Sequence, residues 1–277
     1  MDIRKMLVLT GDDPASCPAL SVALALGRLL GAGVTALHSS VWREPSWVAD
    51  AATRAPQGQG QGQGKGGRRP AAEALDAAFQ ERCAAAGIAG TWLEDRGDPV
   101  ERLAAHSLYA DLVVAERGNP AVIDGTLTAP EAGRLALTVA PSLLIVPPGY
   151  GREFAPGRVL VAWNRRREAA RAIRGALPLL CRARQPVLLS VYPPGWDDRP
   201  DQRIADHLAA HGVQADVRIN FAAEFEAPGA ILAQAHALDA DLIVMGAYGH
   251  SRSFETVLGG VTRHMLENAD LPVWTCH

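Results

Sequence analysis

The sequence predicts an α/β protein made of two tandem open parallel sheets of about five strands each, with helices on both faces. Three observations predict it. HSLYADLVVAERG, from His106 to Gly118, stands beside HALDADLIVMGAYG, from His236 to Gly249, so that His-x-Leu-x-Ala-Asp-Leu-x-Val recurs after 130 residues. Short apolar runs alternate with Ala- and Leu-rich helical stretches along the whole chain. The runs are apolar almost without interruption, as in parallel strands buried on both faces, and such strands need a helix to return the chain to the same sheet edge.

In the first half, MLVLT (6 to 10) opens as a strand. The helix from Pro18 to Leu30 follows, with Ala19, Val22, Ala23, Leu26 and Leu29 on one stripe. VTALHSS from Val34 is the second strand. PQGQGQGQGKGGRRP, from Pro56 to Pro70, is then an insertion with no apolar group to offset the entropy of ordering it, and it is expected to be mobile. A helix from Ala71 to Ala86 leads to a strand near Thr91. Asp98-Pro99 caps the next helix, which runs to Leu108. DLVV and SLLIV, the latter from Ser142, complete the set.

Pro147-Pro148-Gly149-Tyr150-Gly151 cannot continue a helix or a central strand, which places a domain boundary there, between 1–149 and 150–277. The second half repeats the order. VLVAW (159 to 163) precedes a helix from Glu168 to Leu180 with Ala169, Ile173, Ala176, Leu177 and Leu180 on its stripe. VLLSVY from Val187, helices near Pro200 to Ala210 and Pro228 to Leu238, a strand near Val217, DLIVM, a helix from Val261 to Asn268 and LPVWT from Leu271 follow.

Composition narrows the function. With 27 Lys and Arg against 30 Asp and Glu, the net charge of −3 gives no positive field for nucleic acid, and the aromatic content of 5% is low for a base-stacking surface. Cys17, Cys83, Cys181 and Cys276 are far apart and form no Cys-x-x-Cys pair, which fits small buried apolar side chains in a reducing cytoplasm. The opening residues lack the apolar core of a secretory signal and no run of 18 apolar residues occurs, so a soluble cytoplasmic protein is expected, with no membrane or nucleic-acid partner.

Several strings carry no chemistry. Gly62-x-Gly64-x-x-Gly67 has no preceding strand to aim a helix at a pyrophosphate, and Gly64-Lys65 lacks the Ser or Thr of a phosphate loop. His207 and His211 share a helix face, but HLAAH lacks the Glu that activates zinc-bound water, and no metal ligand is assigned. His106 and His236 read as packing or capping residues at a helix end. No Gly-x-Ser-x-Gly elbow occurs, and no catalytic residue is assigned.

GAYGHSRSFETVLGG, 246 to 260, has the right context for a ligand loop, since it follows a central strand and precedes a helix. Gly246 and Gly249 shape the strand exit. Gly259 and Gly260 present backbone N–H groups at a helix start, where unpaired donors favour an anion, and His250, Ser251, Arg252 and Ser253 add donors. Arg165, Arg166 and Arg167 follow the first strand of the same half. From the residues alone, a phosphate cradle and an ordinary tight loop stand as equal alternatives.

Gly246-x-x-Gly249, nine residues and Gly259, together with LVAWNRRREAARAI from Leu160, resemble the nucleotide-binding motif and opening segment of the universal stress protein family, in its tandem two-domain form. The resemblance implies Rossmann-like sheets in the strand order 3-2-1-4-5 and one bound ATP or AMP. Adenosine would lie near Trp163, Asn164 and Val191. The phosphates would lie over Gly246, Gly249, His250, Arg252, Gly259, Gly260 and Val261, with any Mg2+ held through them. Asn164 stands where the family has Asp, and Gly260 where binding members carry Ser or Thr. The first half departs further: Glu116 brings a carboxylate to the phosphate path, Asp12 and Asp13 follow the first strand, Gly11 matches Asn164, and the closing glycines are missing.

The implied function is a nucleotide-binding stress-response or regulatory protein with one site in the second half and at most slow hydrolysis, Asp241 being a poor magnesium ligand because it opens a buried strand. The alternative is a two-domain interaction protein without useful nucleotide affinity. The paired halves would imitate the dimer of single-domain relatives, with SLLIV and LPVWT near an edge, and a homodimer of the tandem chain is the further assembly considered.

Overall fold

A computed structural model of the protein describes residues 2–39, 72–118, 126–196, 201–248 and 260–277. The expected insertion at 56–70 lies outside the described residues.

The first half gives β1 (Lys5–Thr10), α1 (Pro18–Leu30), β2 (Gly33–Ser39), α2 (Ala72–Ala86), β3 (Gly90–Asp95), α3 (Pro99–Ser107), β4 (Leu112–Glu116), α4 (Ala129–Thr138) and β5 (Ser142–Val146). The second gives β6 (Arg158–Ala162), α5 (Arg167–Leu180), β7 (Gln185–Tyr192), α6 (Gln202–Ala210), β8 (Asp216–Phe221), α7 (Ala227–Ala237), β9 (Leu242–Gly246), α8 (Gly260–Asn268) and β10 (Val273–Cys276). A short 3-10 turn, Glu224–Glu226, leads into α7.

Within each half all neighbouring strands are parallel and their order is 3-2-1-4-5. The halves share one ten-stranded sheet, β3-β2-β1-β4-β5-β10-β9-β6-β7-β8. Its seam is antiparallel: Val273 faces Ile145, Trp274 faces Leu144 and Thr275 faces Leu143. SLLIV and LPVWT therefore meet each other at the centre rather than ending at an open edge.

Alternation along the strands sends side chains to two faces. Met6 and Val8 of β1 join α1, α2, α5 and α6 in one core, which runs across both halves and encloses the fully buried Trp274. Leu7 and Leu9 turn to the opposite face, where α3 and α4 cover the first half and α7 and α8 the second.

The repeated aspartates explain why the motif recurs. Asp111 Oδ2 accepts from the backbone N–H groups of Arg4 and Lys5 at 2.8 and 2.9 Å, and Asp241 Oδ2 accepts from those of Gly157 and Arg158 at 2.9 and 2.7 Å. Each carboxylate ties the start of one strand to the start of its parallel neighbour. The repeated histidines also have polar partners: His106 Nε2 lies 3.0 Å from Asp95, and His236 Nε2 lies 2.8 Å from Asp270.

Asp98 caps α3 as its sequence indicates, accepting from the N–H groups of Val100 and Glu101 at 2.8 and 3.1 Å. Three local expectations are corrected. Leu29 is 41% exposed, while Ala19, Val22, Ala23 and Leu26 are buried as their stripe indicates and the buried face widens to take in Leu20, Leu24 and Gly27, where a Cβ would lie 2.6 Å from the Ile88 side chain. Cys17 and Cys83 are buried, whereas Cys181 is exposed. Finally, α4 lies in a stretch read from sequence only as a degraded loop. Pro130 stands in its first turn, and Glu131 accepts from the N–H and hydroxyl of Thr128, each at 2.8 Å.

Across the seam, Arg117 of the first half reaches α8. Its guanidinium donates to the carbonyl oxygens of Leu266 and Ala269, satisfying acceptors that a helix C-terminus leaves unpaired. Burial pulls its pKa below the ordinary arginine value, with Asp270 and Glu267 opposing. Replacing Arg117 with Met is expected to lower the unfolding free energy by about 1.5–3 kcal/mol, the range for hydrogen bonds to a charged group. Urea denaturation checks this, and an unchanged midpoint and slope would contradict it.

Candidate functional site

The sheet order reverses between β6 and β9. The loop after β6 runs to α5 on one face, while the chain after β9 runs to α8 on the other, so a crevice opens between the two at the carboxyl ends of the strands. Gly249, His250, Arg252 and Gly259 lie outside the described residues. The other residues singled out in the sequence can be placed.

Gly246 ends β9 against the first turn of α5. A Cβ there would lie 2.5 Å from the Ala169 nitrogen and 2.7 Å from the Glu168 carbonyl carbon, so glycine is required by the close approach of helix and strand. Gly260 is different. It is exposed, opens α8, and has no described residue within 4 Å of a built Cβ. Val261 is half-buried against the core of the second half. Behind them, Thr262 Oγ1 accepts from Tyr248 N at 3.0 Å, tying the strand exit to the first turn of α8. Tyr248 itself holds a left-handed backbone with φ of 55°, uncommon for a residue with a Cβ. Burial pushes its phenol up to about 12, and its hydroxyl has no hydrogen-bond partner among the described residues.

On the other wall, Trp163 N donates to Leu189 O at 2.8 Å, which brings Trp163 and Asn164 beside the end of β7. Val191 is half-buried there and stands opposite Asn220 of β8. Asn164 Oδ1 accepts from Arg166 N at 3.1 Å, so its side chain shapes the turn into α5. Arg165 takes a φ of 60° and sends its side chain toward β7, where the guanidinium carbon lies 5.7 Å from the Tyr192 ring centroid. Tyr192 in turn stacks on Trp196 at 5.8 Å with ring planes 7° apart.

A carboxylate that the sequence reading did not single out organises this wall. Asp201 is buried and accepts from Trp163 Nε1 and Arg165 Nε, each at 3.2 Å, and from Arg203 Nε at 3.1 Å. Burial acts to raise its pKa, but the bonds from Arg203 and Trp163 and the charges of Arg203 and Arg165 outweigh it, and the carboxyl is held below its ordinary range. Glu168, buried in the first turn of α5, follows the same pattern. Burial acts upward, and the Arg167 bond, the helix amide and the nearby charges bring the net shift below the usual glutamate value. The signal for Asp201 was weak: one Asp after a proline, 38 residues from Trp163, beginning a helix without accepting from its backbone.

The corresponding place in the first half holds a cavity of about 130 Å³ lined by Gly11, Asp13, Ser16, Cys17, Glu116 and Thr126 among others. Asp12 turns away to His38, whose Nε2 lies 2.9 Å off. Asp241 sits at the opposite end of the sheet from either crevice, on the amides of Gly157 and Arg158. Among the described residues, no group of three or more His, Cys, Asp and Glu side chains is arranged to hold a metal ion, and no helix is long and apolar enough to cross a membrane.

Two open parallel sheets of order 3-2-1-4-5, with loops converging at the reversal, define a tandem doubly wound α/β protein. Residues 156–277 match the model of the universal stress protein family, and the first half repeats the same strand order in tandem with them. A universal stress protein from Archaeoglobus fulgidus superposes with a TM-score of 0.71 at 18% identity, over 98% of this chain and 97% of its own. A functionally unknown protein from Pseudomonas aeruginosa gives 0.61 at 16% identity, over 98% and 92%. At these identities the likeness establishes the fold. No curated protein matches the chain in sequence.

Two outcomes follow from this geometry. Gly246→Ala is expected to destabilise by about 1–3 kcal/mol through overpacking against α5, while Gly260→Ala, in open space, costs less than about 0.5 kcal/mol; equal urea midpoints for the two variants would contradict the packing assignment. Because the folded-state pKa of Asp201 is depressed, its contribution is present above its unfolded value, near 3.8, and lost as pH falls through the lower folded value. The thermal midpoint of Asp201→Asn should therefore fall less than that of the unaltered protein between pH 5 and the acid limit of folding, and parallel curves would count against the assignment.

Proposed function

We propose that the protein is a cytoplasmic stress-response or regulatory protein that binds one adenine nucleotide, ATP or AMP, in the crevice of its second half. The observation that carries this reading is the aim of α8. Its first residue, Gly260, is exposed, and its first turn is fixed by the Tyr248–Thr262 hydrogen bond, which supports this reading. Amides at a helix start have no intrahelical acceptors and lie at the positive end of the helix dipole, so a phosphate chain is the ligand they favour.

Adenosine is then assigned to the wall formed by Trp163, Asn164 and Val191, and the phosphates to the segment from Gly246 to Val261 with Gly249, His250, Arg252 and Gly259. Asn164 presents a neutral amide to the ligand in place of a carboxylate. Any Mg2+ is carried by the phosphates. Hydrolysis is slow in this reading, because the carboxylates bordering the crevice, Asp201 and Glu168, are each engaged by arginine rather than left to orient water. In the first half Asp13 and Glu116 line the equivalent cavity and would repel phosphate, so a single site per chain is proposed, with the domain boundary at 149/150.

One observation favours the second reading, a two-domain interaction protein. Arg165, Trp163 and Asp201 satisfy one another across the adenosine wall without a ligand. Isothermal titration with ATP, ADP and AMP separates the two readings. Saturable binding below about 1 mM, roughly −4 kcal/mol, supports the nucleotide reading, and no saturable heat up to that concentration for any of the three removes it.

A further inference from the structure

We propose that His207 and His211 of α6 form a surface chelate for one divalent late transition cation of the zinc, nickel and copper class, with water completing its coordination. The sequence reading assigned no metal to this pair because the catalytic Glu is absent. Binding needs no such residue; it needs two imidazoles on one face at the right separation.

The geometry supplies that separation. A spacing of four residues places both side chains on one face of α6, and their ring centroids lie 4.9 Å apart at an interplanar angle of 72°. Two imidazoles sharing one ion at metal–nitrogen distances of about 2.0–2.1 Å have centroids about 4.5–5.2 Å apart for cis angles of about 90–110°. The observed spacing falls inside that window, so chelation requires rotation about side-chain bonds and no movement of the helix.

The backbone is held independently of the rings. Ile204 and Leu208, on the stripe adjoining the histidines, are buried and anchor α6, both histidines are exposed, and the His211 carbonyl accepts from Cys181 Sγ at 3.3 Å, linking the end of α6 to the end of α5. Four of the other described histidines have polar partners. His38 and His106 lie against Asp12 and Asp95, His236 against Asp270, and His277 Nδ1 lies 3.1 Å from the Ala247 carbonyl. Among the described residues no third His, Cys, Asp or Glu completes a cluster at the pair, so water supplies the remaining ligands and the ion stays exchangeable.

The test is isothermal titration of the untagged full-length chain with NiCl2, under reducing conditions with a non-chelating reductant. One Ni2+ per chain is expected to bind saturably, His207→Gln and His211→Gln are each expected to weaken it at least about tenfold, and His236→Gln and Cys181→Ser are expected to leave it unchanged. Saturating Ni2+ should also raise the thermal midpoint of the unaltered chain and not that of the double variant His207→Gln/His211→Gln. Absence of saturable binding, equal affinity in the double variant, or a loss in Cys181→Ser as large as in the histidine variants would each overturn the chelate.

Discussion

The arrangement depends on the clamping of α8 at both ends. Its C-terminal carbonyls are held by Arg117, which reaches from the other half of the chain, and its first turn is tied to the end of β9 through Tyr248 and Thr262. The antiparallel seam between β5 and β10 makes this possible, since it brings the helix-covered faces of the two halves edge to edge and lets α4 pack beside α8. A helix dipole is useful to an anion only when its axis is fixed. Here a residue of the first half holds the C-terminal carbonyls of a helix that belongs to the second.

This division of labour accounts for the difference between two pseudo-equivalent units. The first half carries carboxylates, Asp13 and Glu116, around its crevice, and its Arg117, α4 and β5 contact the second half. In the second half the carboxylates bordering the crevice, Asp201 and Glu168, are each engaged by arginine. Arg165 adopts a left-handed backbone conformation to reach Asp201, and Tyr248 adopts one at the strand exit. Two residues with a Cβ held at positive φ beside the same crevice indicate that the surrounding packing over-determines their positions.

Much of the fold was legible because the chain repeats itself. The His-x-Leu-x-Ala-Asp-Leu-x-Val pattern marked two copies, and apolar runs alternating with helical stripes gave both the strands and the helices between them. The reason for the repeated Asp was not legible: Asp111 and Asp241 bind strand-start amides more than 80 residues away in sequence. Nor was the seam, because apolar runs such as SLLIV and LPVWT carry no register. The helix α4 had its signals, a Thr-x-x-Glu box and a proline in the first turn, but its stretch was compared with a glycine loop instead. At the site, the sequence marked Gly246 as shaping the strand exit. Its neighbour proved to be the α5 backbone, which only a three-dimensional arrangement reveals, and Asp201 was hidden for the same reason.

The account stands on a ligand count. Native mass spectrometry of the intact chain with ATP and AMP, each in modest excess, reads the number of nucleotides held by one molecule. A single adenine nucleotide per chain, retained in a Glu116→Gln variant without a second adduct in the unaltered protein, is the predicted result. Two nucleotides on the unaltered chain, or none at concentrations approaching 1 mM where even a −4 kcal/mol interaction is half-saturated at about that level, would contradict the proposal of one crevice aimed by a clamped helix.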